Sequence, residues 1–313
     1  MRAPTAPTHL KSHHGLPTLN GVGPSCVGLP PGHWPTITDF LVERFPAIDR
    51  DVWLQRMANH LVVDEFGERV TPERPYPKHM RIYYYRAVEE EIRIPFDETI
   101  LFQDAHLVVA DKPHFLPVTP SGHYLQETLL VRLKKRLGID NLIPIHRIDR
   151  ETAGLVLFSV NPAERNAYQA LFRDHAVTKH YEAIAPRNDD LQLPITRKSR
   201  IVEDQPFFRQ REVAGQPNSE TYIDVMEVND GLARYTLSPV TGKKHQLRVH
   251  MNALGLPILH DRMYPPVAET LDDNYSLPLQ LLAKSIGFLD PMTGEPRRFE
   301  SQLTLTLKPQ SLA

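Results

Sequence analysis

An aspartate lies between two arginines in the segment IHRIDRETAGLVLFSV, where Arg147 and Arg150 flank Asp149. The apolar run that follows is typical of a buried strand, so the charged residues lie at the turn before it. Nearby guanidinium groups favour the ionised form of a carboxyl group, and a carboxylate can act as a nucleophile or a base. A surface ion-pair cluster that caps a strand has the same spacing and is the commoner case. Spacing alone therefore leaves both interpretations open.

The elements that must position this turn are mostly strands. Seven strand-like runs, several with turn residues between them, occur after residue 98: TILFQD, HLVVADKP, AGLVLFSV, KHYEAIAP, TYIDVMEV, LARYTLSPV and LQLLAKSIGF. They do not alternate regularly with helices, as strands of βαβ units do. The pattern predicts an α+β fold with a mixed, largely antiparallel sheet.

Helical patterns are fewer in the same region. Leucines at every fourth position from 125 to 137 predict a helix with a basic outer face that carries Arg132, Lys134, Lys135 and Arg136. A second helix is expected after Val160, with Asn161 as N-cap, Pro162 at its first position and Glu164 completing a capping box. The segment GKKHQLRVHMNALG predicts a third, with Leu247, Met251 and Leu254 facing inward and Gly255 at its C-terminal cap.

The N-terminal part of the chain has a different composition. Residues 1–35 contain seven prolines, five glycines and no acidic residue, which predicts an extended arm with low intrinsic order. Residues 36–88 then show two short amphipathic helices, a strand, a turn at Gly67 and a closing strand in MRIYYYRAV. We expect a small module over residues 36–88 and a large domain over residues 95–310.

Composition excludes several classes of protein. The only cysteine among the 313 residues is Cys26, which excludes a disulfide framework and thiolate zinc clusters and favours the cytoplasm. No apolar run approaches the roughly 20 residues that a membrane helix needs. The formal net charge of -2 requires that an anionic partner be met by a local basic patch. His245 and His250 are five residues apart, which turns them away from a shared helix face, so we assign no metal site.

Four ordered segments resemble one family. The segment HRIDRETAGLVLF is similar to the signature of the RluA-type pseudouridine synthases. LVVADKPHFLPVTPSG resembles the strand and loop of that family that contain Asp-Lys-Pro, and VTGKKHQLRVHMNALGLPILHD resembles its Thr-Gly to Gly-x-Pro segment. KHYEAIAP fits the strand that carries its active-site tyrosine. The likeness covers about residues 100–300 and implies that residues 95–310 form a pseudouridine synthase catalytic domain.

The resemblance implies a role for each matching residue. Asp149 matches the essential aspartate, which attacks a uridine of RNA while an N-glycoside becomes a C-glycoside. Arg147 matches the arginine that replaces the flipped nucleotide in the RNA stack. Tyr181 matches the tyrosine that stacks on the target base. Arg248 matches the arginine that pairs with the catalytic carboxylate. Further substrate contacts are expected from His146, Arg150, Lys243, Lys244 and His245.

These roles agree with elementary chemistry. A uridine stacked in RNA is out of reach until it is extruded, and a planar cation can fill the gap by stacking. Isomerisation consumes no electrons, phosphate or water. We therefore expect no cofactor. The resemblance implies that the partner is structured ribosomal or transfer RNA. We expect no DNA or membrane partner, and a monomer. The small residues Thr152 and Gly154 are expected to shape the turn at Asp149, and Lys112 to hold the strand-to-loop hinge.

Some positions depart from the family pattern. Leu282 and Thr119 stand where many members have histidine, which affects expected RNA contacts rather than the nucleophile. Residues 36–88 resemble the S-four-like RNA-binding fold, but residues 36–99 contain 13 acidic and 9 basic residues. A stronger electrostatic contact with RNA is expected from VRLKKRL, ITRKSR and GKKHQLR.

Two other hypotheses remain open at this stage. A non-catalytic RNA-binding or ribosome-assembly protein could use the same scaffold, although the presence of Asp149, Tyr181 and Arg248 argues against it. A nucleoside or glycoside hydrolase would need a second carboxylate across the bond, and no segment supplies an obvious one. The product distinguishes the three hypotheses. A pseudouridine synthase gives a uridine isomer of unchanged mass, a non-catalytic protein gives no product, and a hydrolase releases the free base.

Overall fold

Five helices and fourteen strands form in residues 16–86, 91–122, 124–205, 208–265 and 275–307, which are the residues that the computed structural model describes. The helices are α1 (Ile37–Arg44), α2 (Arg50–Ala58), α3 (Leu129–Leu137), α4 (Arg165–Arg173) and α5 (Gln246–Ala253). The strands are β1 (Ser25–Gly28), β2 (Val62–Asp64), β3 (Arg81–Tyr84), β4 (Thr99–Gln103), β5 (Leu107–Lys112), β6 (Ile143–Pro144), β7 (Ala153–Ser159), β8 (Thr178–Pro186), β9 (Ile195–Glu203), β10 (Gln210–Val213), β11 (Ser219–Asn229), β12 (Leu232–Pro239), β13 (Leu281–Leu289) and β14 (Pro296–Glu300).

The chain divides into two units. One consists of residues 1–92 and 120–140, and the other of residues 93–119 and 141–313. The sequence did not indicate that residues 120–140 belong with the N-terminal part. The predicted boundaries at residues 35, 88 and 95 stay predictions.

The first unit is built on a three-stranded antiparallel sheet in the order β1-β3-β2. Helices α1 and α2 bury Phe40, Leu41, Trp53 and Met57 in its core. Thr36 and Asp39 form a capping box that satisfies backbone N–H groups at the start of α1. The predicted helix pair is therefore present.

The segment before α1 is more ordered than its composition suggests. Residues 1–15 lie outside the described residues, but Ser25–Gly28 pairs with Arg81–Tyr84 and Leu29 is buried. Backbone hydrogen bonds to β3 and the burial of Leu29 compensate for a segment that is rich in proline and glycine. The expectation of low order for residues 1–35 is therefore wrong from β1 onward.

The second unit is built on one large sheet. Its main path runs β10-β9-β11-β12-β8-β13-β7-β5-β4, with β14 beside β13 and β6 beside β7. All its pairs are antiparallel except β13 with β7. Helix α4 buries Tyr168 against β5 and β7, and α5 buries Leu247 and Met251 against β8, β11 and β12. The predicted α+β fold with a mixed, largely antiparallel sheet is confirmed.

Three helix boundaries differ from those predicted. Helix α3 begins at Leu129 rather than at Leu125, because Thr128 caps its N-terminus. Helix α4 begins at Arg165 rather than at Pro162, because the Glu164 carboxylate bonds to His106 and to the Asn161 side chain instead of closing a capping box. Helix α5 begins only at Gln246, because His245 has a φ of 56°. At its C-terminal end the prediction was right, since the N–H groups of Gly255 and Leu256 complete a Schellman motif.

No helix in the described ranges has both the length and the apolar character needed to cross a membrane.

Candidate active site

The turn that carries Asp149 is fixed by its own backbone and by the strand that follows. The Thr152 N–H donates to the Asp149 carbonyl oxygen over 3.2 Å, and β7 begins at the next residue. Gly154 has a φ of 108°, a region that side chains other than glycine rarely allow. The Asp149 side chain is 25% exposed, so its carboxylate is only partly accessible to solvent.

Contacts from the loop after β5 hold the same turn. The buried Lys112 ammonium donates to the carbonyl oxygens of Pro113 and Arg150, over 2.9 and 3.0 Å. His114 Nδ1 donates to the Glu151 carbonyl over 2.7 Å, and Arg150 Nε donates to the Phe115 carbonyl over 3.1 Å. Burial lowers the pKa of Lys112 to about 7 and that of His114 to about 4. These contacts position Asp149 and give Lys112 the structural role expected of it.

Arg248 forms the ion pair with Asp149 that the sequence predicted. Its NH1 lies 3.3 Å from Asp149 Oδ2, although 99 residues separate them. The guanidinium is only 2% exposed because α5 packs its whole first turn against the sheet. Burial alone would lower the pKa of Arg248, but hydrogen bonds and charge attraction from Asp261 outweigh burial and raise it. A permanent positive charge therefore faces the carboxylate.

Tyr181 reaches the site through strand register. Ala283 of β13 pairs with Tyr181 on one side and with Gly154 on the other, and Gly154 pairs in turn with Lys112. This row across four strands brings the tyrosine to the same end of the sheet as the turn of Asp149. Burial, and to a smaller extent the negative charge of Asp149, raise the pKa of Tyr181. Its phenol is therefore protonated at neutral pH.

The other predicted contact residues divide into two groups. Arg147, Lys243 and Lys244 are exposed. Within the part of the chain that the structure describes, no hydrogen bond or ion pair holds the Arg147 side chain. His146 points into the protein instead, where its Nε2 accepts from the Leu157 N–H and its ring stacks on Phe172 at 4.6 Å. Burial lowers the pKa of His146 to about 3, so it is neutral.

His245 lies beside Asp149 rather than at the surface. Its Nε2 is 3.8 Å from Asp149 Oδ1, and its side chain is 7% exposed. Burial lowers the pKa of His245 to about 4, against an opposing effect of Asp149. In the described ranges no group of three or more histidine, cysteine, aspartate or glutamate residues could hold a metal ion.

Sequence analysis missed two residues of this site. Asp261 binds Arg248 through two hydrogen bonds of 2.7 Å, and the Tyr264 hydroxyl lies 2.8 Å from His245 Nδ1. Both belong to the segment HDRMY, which begins with the last two residues of the segment VTGKKHQLRVHMNALGLPILHD. The only signal in the sequence is a carboxylate 13 residues after a buried arginine, which is too weak to interpret without the fold.

Known proteins are similar to this chain over the same region. A family described as "RNA pseudouridylate synthase" matches residues 106–253. The dual-specificity RNA pseudouridine synthase RluA of Haemophilus influenzae is 32% identical over 210 residues, which cover 65% of this chain and 92% of that protein. An uncharacterized RNA pseudouridine synthase of Synechocystis is 28% identical and covers 73% and 79% of the two chains.

A solved structure extends the likeness to the fold. Human RNA Pseudouridylate Synthase Domain Containing 4 superimposes with a TM-score of 0.52 at 27% identity, over 66% of this chain and 88% of that one. The predicted pseudouridine synthase fold is thereby confirmed. Because a relative more than 30% identical is matched over nearly its whole length, this chain belongs to the RluA-type RNA pseudouridine synthase family and is an isomerase that forms pseudouridine in RNA.

Proposed function

We propose that this enzyme extrudes one uridine from a structured RNA and that Asp149 is the nucleophile that attacks it. The observation that carries this proposal is the 3.3 Å pairing of a quarter-exposed Asp149 with the buried, permanently charged Arg248. Such a carboxylate is oriented by a fixed positive charge and is still partly accessible. General chemistry requires both properties of an attacking group.

The reaction needs no external reagent. The bond from the ribose to N1 of uracil breaks, a bond from the ribose to C5 forms, and a proton leaves C5 while N1 gains one. The atoms of product and substrate are therefore the same. After the bond to N1 breaks and before the bond to C5 forms, the uracil must rotate without leaving the site. A side chain that packs against one face of the base is therefore needed. Tyr181 is that side chain in this proposal and, being protonated, acts as a packing group and proton donor rather than as a ready base.

Arg147 occupies the gap that the extruded uridine leaves in the RNA. Extrusion costs a few kcal/mol of lost stacking and pairing. A planar guanidinium recovers part of this by stacking between the neighbouring bases. The exposure of Arg147, two residues from Asp149, supports this role.

The RNA in this proposal is ribosomal or transfer RNA, modified in the cytoplasm by a monomer. Exposed lysines at 135, 198, 243 and 244 offer phosphate contacts. The first unit keeps its proposed S-four-like character, with a small electrostatic contribution because residues 36–99 have more acidic than basic residues.

A hydrolytic reaction is disfavoured by the state of Asp261. A glycosidase mechanism requires a second carboxyl group that can donate a proton across the bond. Asp261 shares Arg248 with Asp149, but its two oxygens accept from the guanidinium and from the N–H groups of Met263 and Tyr264. It therefore cannot serve as the acid.

A map of pseudouridines in cellular RNA tests the proposal. RNA from cells without this protein should lack pseudouridine at one or more uridines, and the native chain should restore them. Asp149→Asn, which keeps the shape of the side chain but not its charge, should restore none while binding RNA like the native chain. An unchanged map in the deletion, or full restoration by Asp149→Asn, would contradict the proposal.

A further inference from the structure

A single turn behind the site, residues 261–264, contacts both groups that face Asp149. We propose that Asp261 and Tyr264 are positioning residues: Asp261 fixes the guanidinium of Arg248, and Tyr264 fixes the ring of His245 with a proton on Nε2. His245 then presents an N–H group to Asp149 Oδ1 while Arg248 binds Oδ2. This inference rests on the proposed role of Asp149 as the nucleophile.

Asp261 is arranged to hold an arginine in one orientation. Its side chain is fully buried, and its Oδ2 and Oδ1 each accept from Arg248, at Nε and NH2, over 2.7 Å. Oδ1 also accepts from the backbone N–H groups of Met263 and Tyr264, over 2.8 and 3.0 Å. With Nε and NH2 occupied, NH1 is the nitrogen directed at Asp149. A bidentate pair of this kind fixes the plane as well as the place of the guanidinium.

The hydroxyl of Tyr264 determines which nitrogen of His245 carries the proton. This oxygen accepts from the Gln210 N–H over 2.7 Å and lies 2.8 Å from His245 Nδ1. A hydroxyl has one proton, and among the described residues no other acceptor lies within hydrogen-bond distance of it, so Tyr264 donates the proton to Nδ1. A neutral imidazole with an accepting Nδ1 must carry its proton on Nε2. That nitrogen is 3.8 Å from Asp149 Oδ1.

Charges around His245 are consistent with a neutral ring. Asp149 and Asp261 favour its protonated form, whereas Arg248 and Lys244 oppose it, and burial has the largest effect. The ring of Tyr264 also lies 5.3 Å from the Arg248 guanidinium, so one aromatic side chain contacts both partners of Asp149. His245 is held with a φ of 56°, in the left-handed region.

One nitrogen faces each oxygen of the Asp149 carboxylate, and only Arg248 is within hydrogen-bond distance. Arg248 stabilises Oδ2, and a shift of less than 1 Å would bring His245 Nε2 into hydrogen-bond range of Oδ1. The carboxylate loses its charge when it bonds to the substrate and regains it when the product departs. The donors that Asp261 and Tyr264 hold in place stabilise the Asp149 carboxylate as it is released from the substrate, and they leave RNA binding unaffected.

The first experiment compares Asp261→Asn with Asp290→Asn. Asp290 is the matched control because it is buried, binds Arg297, and accepts from the backbone N–H groups of Met292 and Thr293 as Asp261 does from those of Met263 and Tyr264. Both variants should lower the melting temperature. Only Asp261→Asn should lower kcat, by about tenfold to 100-fold with KM and RNA affinity unchanged, since small misplacements of a reacting group have effects of this size. Equal kcat values in the two variants would overturn the role of Asp261.

The second experiment compares Tyr264→Phe with Tyr235→Phe. Tyr235 is a buried tyrosine whose hydroxyl donates to the Pro186 carbonyl, so its variant also removes one buried phenol. Tyr264→Phe should lower kcat by about fivefold to tenfold, the effect of one lost hydrogen bond, and Tyr235→Phe should not. Long-range proton–nitrogen spectra of protein with ¹⁵N-labelled histidine, assigned through His245→Gln, should show the proton of His245 on Nε2 in the native chain and a mixture of tautomers in Tyr264→Phe. A native spectrum with the proton on Nδ1 would overturn the role of Tyr264.

His245→Gln and His245→Ala complete the test. A glutamine amide can donate from near the position of Nε2, so His245→Gln should retain more of kcat than His245→Ala. Equal losses in the two would contradict donation by His245. Asp149→Asn separates the two proposals: if it remains active, the proposed nucleophile is wrong, whereas an inactive Asp149→Asn with native kcat in Asp261→Asn and Tyr264→Phe overturns only the present inference.

Discussion

Gly154 lies directly against the backbone of Ala283, so that a Cβ atom on Gly154 would be 2.3 Å from the Ala283 carbonyl oxygen. This approach occurs where β7 and β13 pair in parallel, five residues after Asp149. The glycine is required both by this distance and by its φ of 108°. The contact connects the turn of Asp149 to β13, the strand that pairs with Tyr181.

Gly154→Ala should therefore lower the free energy of unfolding by at least about 2 kcal/mol, because the added methyl group must displace backbone atoms and the φ is strained. Urea unfolding measures this loss. Gly287→Ala on β13 is the control, since its Cβ would lie 3.6 Å from the Arg297 carbonyl oxygen of β14, an ordinary van der Waals contact. If the two variants lose equal stability, the close approach at Gly154 is not what requires glycine there.

Arg147→Ala should lower kcat by about tenfold to 100-fold, since stacking on a base is worth about 1–3 kcal/mol. Arg147→Lys should recover little, because an ammonium cannot stack as a plane. A 2-aminopurine placed beside the target uridine reports extrusion by its fluorescence, which should rise with the native chain and not with the variants. Arg173→Ala, which removes another exposed arginine, should behave like the native chain. A full fluorescence rise with Arg147→Ala would show that another group fills the gap.

Reversal of charge at Lys134, Lys135 and Lys198 should weaken RNA binding. Each lost phosphate contact should also reduce the slope of log affinity against log salt concentration by about 0.7 to 0.9. Filter binding at several salt concentrations gives both values. The matched control reverses Arg69, Lys78 and Arg81, which are exposed residues of the N-terminal segment that is acidic overall. Affinity and slope that stay the same, or fall equally in the control, would place the RNA elsewhere.

The stability of the native chain should fall as the pH decreases from about 6.5 to 4. His250 is fully buried between Ser199, Ser219 and Thr221, and burial lowers its pKa to about 4. The negative charge of Glu212 opposes this shift, and the positive charge of Arg197 adds to it. In the unfolded chain His250 takes up a proton near pH 6.5, whereas in the folded chain it does so only near pH 4. The contribution of neutral His250 to folding stability is therefore fully present above pH 6.5 and is lost as the pH falls to 4.

His250→Gln should reduce the loss across that window by about 3 kcal/mol, the value that a shift of this size implies. Denaturant unfolding at pH 7 and pH 4.5 measures it. Part of the fall should remain, because burial also lowers the pKa of His114, His146 and His245. Replacement of the exposed His33 serves as the control. An identical pH dependence in His250→Gln and the native chain would contradict the assignment.

Sequence analysis located most elements because their signals are local. Alternating apolar residues gave the strands, and leucines at helical spacing gave α3, which begins at Leu129 behind its Thr128 cap. Errors arose where a side chain had a distant partner. Glu164 fits a capping box in sequence, but His106, 58 residues away, takes its carboxylate. His245 looked like part of a basic helix until its backbone conformation excluded it from α5.

The sequence by itself determined the family, the α+β class and the choice of Asp149 as the candidate reactive residue. Each of these depends on residues that lie close together along the chain. Only the tertiary structure decided that His146 faces inward, that Arg150 binds a neighbouring loop, and that Asp261 and Tyr264 stand behind the residues facing Asp149. Those contacts join residues from different strands and loops, and their geometry follows from strand register and helix packing. Neither of these is encoded within any one segment.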